Sequence, residues 1–176
     1  MLNTDLEVKN FSFNQTPLGR LNLFSEWDDA QKGILMLRSI YKNDSTWTDV
    51  NGYVFPVGPN AGLSLYFDAN DINLAFLQPF VDTVVKNLQG RGFGSIHLHG
   101  PFKELNVEGD AYVMDGGVGV DFLDTYYTFS GSVHLDSTSV NLRNITVKDQ
   151  FGNLGKVSLK FNHLHFRDYS FLVNVQ

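Results

Sequence analysis

No cysteine occurs anywhere in the 176 residues. Disulfides, thiolate-bound metals and cysteine nucleophiles are therefore excluded together, while the redox compartment stays open. Basic residues are also short. Against 19 Asp and Glu there are 13 Lys and Arg, a formal net charge of −6. That is the wrong sign for the basic footprint of a nucleic-acid-binding face. No uninterrupted apolar run approaches the roughly 18 residues that suggest a membrane-spanning helix. The opening Met1-Leu2-Asn3-Thr4-Asp5 has neither the basic nor the apolar region of a signal peptide. Charge is modest at 18%, but hydrophobic residues reach 43%, so the composition is that of a folded chain.

What the sequence does have is alternation. Apolar residues at every second position mark strands with one buried and one wet face. Leu105, Val107, Ala111 and Val113 stand against Asn106, Glu108, Asp110 and Tyr112. Val118, Val120 and Phe122 follow, then Phe129, Val133 and Leu135, then Val140, Leu142, Ile145 and Val147, then Val157, Leu159 and Phe161. Leu21, Leu23 and Trp27, and later Leu63, Leu65 and Phe67, do the same in the first half. Asn51-Gly52, Pro59-Asn60, Gly116-Gly117 and Gly152-Asn153 supply turn signals between runs. One stretch departs from this rule. Phe76, Leu77, Phe80, Val81, Val84, Val85 and Leu88 fall at helical spacing, which predicts one amphipathic helix over about 74–89, with Pro79 in its first turn and Gly90 after it.

The chain also resembles itself. Leu6-Glu7-Val8-Lys9-Asn10-Phe11-Ser12-Phe13 matches Val140-Asn141-Leu142-Arg143-Asn144-Ile145-Thr146-Val147. In each copy the alternation slips by one residue beside an Asn, which predicts a bulged strand. Alternation is already under way at Leu2, Thr4, Leu6 and Val8 and still running at Phe171, Val173 and Val175. This predicts that residues 1–176 are one segment of a longer β-repeat array.

Candidate chemistry is sparse. Gly90-Arg91-Gly92-Phe93-Gly94 follows the expected helix and precedes a strand, the reverse of a dinucleotide loop. The pairs His97/His99 and His163/His165 could each present two imidazoles on one strand face. Leu98 and Ile96 claim the apolar face, however, and no carboxylate completes a ligand set at short spacing, so both pairs read as solvated surface and no metal is expected. Carboxylates such as Asp44, Asp68, Glu104 and Asp124 are scattered near turns, where Asp caps backbone groups. No catalytic residues and no cofactor are expected.

The second half matches a known pattern. Gly94-Ser95-Ile96-His97-Leu98-His99-Gly100, with Leu105-Asn106-Val107-Glu108-Gly109 after it, resembles the glycine-punctuated alternating signature of TamB-type translocation and assembly module proteins, relatives of AsmA. Asn144 to Val157 and His163 to Phe171 resemble further repeats of that kind, and the match is best over about 74–176. Pro101 follows Gly100 directly, where the family places its proline later. The resemblance implies an elongated, curled antiparallel or mixed sheet, a β-taco with an apolar concave groove. It further implies a parent anchored in the inner membrane and crossing the periplasm. An Omp85-type outer-membrane barrel would be its partner, and phospholipid or nascent outer-membrane protein strands its cargo. The groove would be lined by the inward alternates Ile96, Leu98, Leu105, Val107, Val113, Val118, Val120, Phe122, Phe129, Val133, Leu135, Val140, Leu142, Val147, Val157, Leu159 and Phe161. Two other readings of the alternation stay open: a closed sandwich or lipocalin-like module holding a small apolar ligand, and a glycan-active enzyme with carboxylates and aromatics in a cleft.

Overall fold

A computed structural model describes residues 3–43, 45–59, 61–82, 85–120, 124–164 and 167–175. The strands are β1 (Asn3–Phe13), β2 (Thr16–Asp28), β3 (Gly33–Asn43), β4 (Thr46–Phe55) and β5 (Gly62–Asn73), then β6 (Lys86–Pro101), β7 (Asn106–Val120), β8 (Thr125–Asp136), β9 (Ser139–Asp149), β10 (Leu154–Leu164) and β11 (Arg167–Val175). They form one sheet of 11 strands in chain order, each strand antiparallel to its sequence neighbour. A mixed sheet is thereby corrected to an antiparallel one. The ladder is open: β1 and β11 each pair on one side only, and no second sheet faces the first among the described residues. These pairings outline neither a closed barrel nor a walled groove.

The expected helix over 74–89 does not form. A single 3-10 turn at Leu74–Leu77 leads into α1, the one-turn Gln78–Val81, and β6 has begun by Lys86. Asn73 starts the turn by accepting the Ala75 N–H at 3.0 Å. Gln78 then ends it. Its side-chain amide donates to the Val85 carbonyl at 2.9 Å and accepts from the Leu88 N–H at 2.6 Å, which draws the chain back into an extended course. The expected helix stop around Gly90 lies inside β6 instead. Close strand approach needs a glycine here: at Gly94, with φ +133°, a Cβ would collide with the Asp110 carbonyl oxygen.

Bulges fall where the alternation slips. Asp71, Asn87, Asp115 and Asn144 take left-handed φ values of 74°, 52°, 51° and 52° at register shifts in β5, β6, β7 and β9. Asp and Asn bear that conformation better than other residues with a Cβ. The two matching repeats each carry a shift at the corresponding place, between Val8 and Phe11 and between Leu142 and Ile145.

The core lies at one end of the sheet. Leu18, Leu21 and Ile40 are buried together, with Val8, Phe11, Leu23, Ile72 and Phe76 against them. Phe76, in the 3-10 turn, meets Phe13 edge-on at 6.1 Å, and its carbonyl accepts from the Asn14 side chain at 3.2 Å. The Cα atoms of β2 and β5, which share no ladder, come within 8 Å of each other.

Candidate binding face

Residues opposite each other in a ladder share a face, and neighbours along a strand alternate faces. The register therefore assembles two surfaces of opposite character. On one, Val8, Leu21, Ile40, Thr48, Ala69, Gly94, Ala111, Val133, Leu142, Leu159 and Val173 stand side by side across all 11 strands. The next row runs Leu6, Leu23, Arg38, Val50, Phe67, Ile96, Gly109, Leu135, Val140 and Phe161. The opposite face carries Glu7, Asn22, Ser39, Asp49, Asp68, Ser95, Asp110, His134, Asn141 and Lys160 in one row. The sheet is amphipathic from edge to edge.

The structure brings nearly all the residues expected from the sequence onto the apolar face. Ile96, Leu98, Val107, Val113, Val118, Val120, Phe129, Val133, Leu135, Val140, Leu142, Val147, Val157, Leu159 and Phe161 all lie there by register. Each is buried or half-buried. Leu105 belongs to the connection before β7, outside the ladder, and Phe122 lies outside the described residues. Sequence reasoning missed that the same rows continue through the first half, where Leu21, Ile40, Val50 and Leu65 are buried. Ile145, named in the alternation but not in the expected lining, is 7% exposed beside the bulge at Asn144. The alternation of Leu21 with Leu23, and of Leu63 with Leu65 and Phe67, was the available signal.

The polar face is held by side-chain hydrogen bonds along its rows. Ser95 donates to Asp68 at 3.1 Å, and His134 meets Asp110 at 2.8 Å. A shallow concavity of about 690 Å³ spans β6 to β9 on this side, with Phe93, Tyr112, His134 and Arg143 among its lining and Asp110 its single carboxylate. The paired carboxylates common among glycosidases are not what this lining presents; it holds Asp110 alone. In the β8–β9 turn, Asp136 accepts from the Ser139 hydroxyl at 2.7 Å and the Thr138 N–H at 3.0 Å; these bonds hold its pKa down to about 2.

The histidine pairs need correction. His97 and His99 occupy the polar face but are half-buried, because Tyr66, His97 and His99 stack in a column with ring separations of 4.0 and 4.4 Å. Burial, then the neighbouring His99, pushes the His97 pKa down, and its Nε2 pairs with the Ser64 hydroxyl at 2.9 Å. His163 is not solvated at all: it is 3% exposed. Its N–H donates to the Thr138 carbonyl at 2.8 Å, so the end of β10 folds against the β8–β9 turn. His165 lies outside the described residues. No three His, Asp or Glu side chains converge as a metal site among the described residues. Comparison with protein-family models, curated proteins and solved structures finds no match to this chain.

Proposed function

We propose that the apolar face shelters acyl chains of phospholipid in transit through an aqueous compartment, and that the chain does this as a β-repeat segment of a TamB-like parent. One observation carries the reading. The face is apolar across every strand, yet only the short turn around Phe76 covers it among the described residues. A sheet with one apolar face needs a second layer, and here a client takes that place. Each buried CH₂ contributes about 0.8 kcal/mol, so an acyl chain gains along the whole length of such a surface without a closed pocket.

A curled, concave form of the face gains support from two features. Three strand spacings in a flat sheet amount to roughly 14 Å, whereas β2 and β5 approach within 8 Å at the core end. The bulges at Asp71, Asn87, Asp115 and Asn144 fall towards that same end, and bulges bend strands. An amphipathic strand of an outer-membrane protein has the same apolar stripe as an acyl chain and is a second client for the face. The reading places the segment in the periplasm, with an inner-membrane anchor and an Omp85-type barrel as features of the parent.

The test places charges on the face. Val120→Arg and Leu135→Glu in the parent are expected to block lipid delivery, and the same changes in this chain to abolish binding of a fluorescent acyl probe. Unchanged probe binding and delivery in both variants would refute the shelter.

A further inference from the structure

The apolar face contains one cation that its surroundings do not explain. Arg38 sits between Leu23 and Val50 in the cross-strand row, with Met36 and Ile40 two residues away on the same side of β3. Val50 is 4% exposed and Ile40 9%, whereas Arg38 between them is only half-buried and stays partly accessible. The Arg38 Nε is buried without a hydrogen-bond partner, and the guanidinium makes no ion pair among the described residues. The register places no Asp or Glu on the apolar face of β2, β3 or β4, nor on that of β5 as far as Ala69; Glu26, Asp49 and Asp68 all point to the other side. Asp71, beyond the bulge, is already paired with Arg91 at 3.2 Å.

A buried Nε–H among aliphatic side chains is costly to leave without an acceptor, and an anion would supply one. Its planar fork of donors matches the oxygens of a phosphate or carboxylate. We infer that Arg38 anchors the anionic headgroup of an amphiphile whose acyl chain lies along the apolar rows. The ligand class is thus a phosphate-bearing or carboxylate-bearing lipid rather than a neutral one. This rests on the reading of the face as an acyl shelter and adds polarity to it. Charge is met at β3, and the apolar rows then run uninterrupted by a second cation through β4 to β9.

The experiment compares three probes with the intact chain: lysophosphatidylglycerol, a monoacylglycerol of the same acyl length, and inorganic phosphate. The chain is expected to prefer the anionic lipid by roughly tenfold or more, the scale of a charge-assisted hydrogen-bond pair. Arg38→Met should bind both lipids equally, at the monoacylglycerol level. Arg38→Gln, which keeps length and polarity, should lose the same preference and serves if the Met variant fails to fold. A preference that survives both substitutions would overturn the anchor while leaving the shelter intact. Failure of either lipid to bind any version would overturn the shelter, and the anchor with it. Arg38-dependent binding of inorganic phosphate as tight as that of the lysolipid would show a simple anion site and overturn the lipid assignment.

Discussion

The two halves of the sheet share one apolar face but finish it differently. In β1 to β5 more of the face is buried: Leu18, Leu21, Ile40, Val50 and Leu65 are buried, and Phe76 packs against the first three, while Leu23, Arg38 and Phe67 are half-buried. In β6 to β10 the same rows continue, but only Val107 and Ile145 reach that burial, and Ile96, Val133, Leu135, Leu142 and Leu159 stop halfway. Identical alternation thus produces a self-sufficient core in one half and an incomplete one in the other. The difference lies in the connection between β5 and β6, whose 3-10 turn supplies the covering layer at one end alone. The larger share of buried apolar side chains lies in the first half and the larger half-buried surface in the second.

That division is broken most directly by charge. Leu21→Asp places a carboxylate inside the closed cluster without a partner and should cost about 3–5 kcal/mol in urea unfolding. Leu135→Glu, on the half-covered stretch, should cost less than about 1.5 kcal/mol, because a carboxylate there still reaches water. Equal losses would show that the two halves are equally closed.

A smaller effect sharpens where the cover ends. Phe76→Ala removes the ring over Leu18, Leu21 and Ile40, and a half-buried ring should cost about 2 kcal/mol. Amide hydrogen exchange should quicken in β2 and β3 and stay unchanged in β8 and β9. Uniform quickening would mean that the turn supports the whole sheet.

The smallest expected effect is at the turn between β8 and β9. Asp136 has its pKa lowered to about 2 by bonds from Ser139 and Thr138. A depressed carboxylate pKa gives stability that is complete above its unfolded value near 4 and is lost as pH falls towards 2. Asp136→Asn should flatten that acid-side decline, by under about 1 kcal/mol because the carboxylate is only partly buried and solvent screens it. An unchanged slope between those limits would assign the decline to other carboxylates.

Much of this was legible in the sequence, for a physical reason. A period of two fixes both the strand and the face, so the residues from Ile96 to Phe161 could be placed on one surface before any pairing was known. The segment from Leu74 to Leu88 defeated the same logic. Its apolar spacing suits a helix, yet a 3-10 turn, the Gln78 clamp and a bulge at Asn87 return the described part of the segment to an extended course; Val84 lies outside the described residues. Arg38 was hidden because Ile34-Leu35-Met36-Leu37 before it is apolar on both faces, leaving no alternation to phase it. Leu37 is 45% exposed on the polar side, while Arg38 points to the apolar one. His163 is 3% exposed at the end of β10, where its backbone N–H extends the β9–β10 ladder to Thr138, and the period of two alone does not show that burial.

One measurement addresses the half-buried apolar face itself. A photo-crosslinking amino acid is placed at Leu142 on the apolar side of β9, or at Lys160 on the polar side of the adjacent β10, and each protein is irradiated with phosphatidylglycerol vesicles. Lipid adducts are expected from position 142 and not from position 160. Equal yields at both positions, or none at 142, would contradict the assignment of the apolar face as the surface that holds lipid.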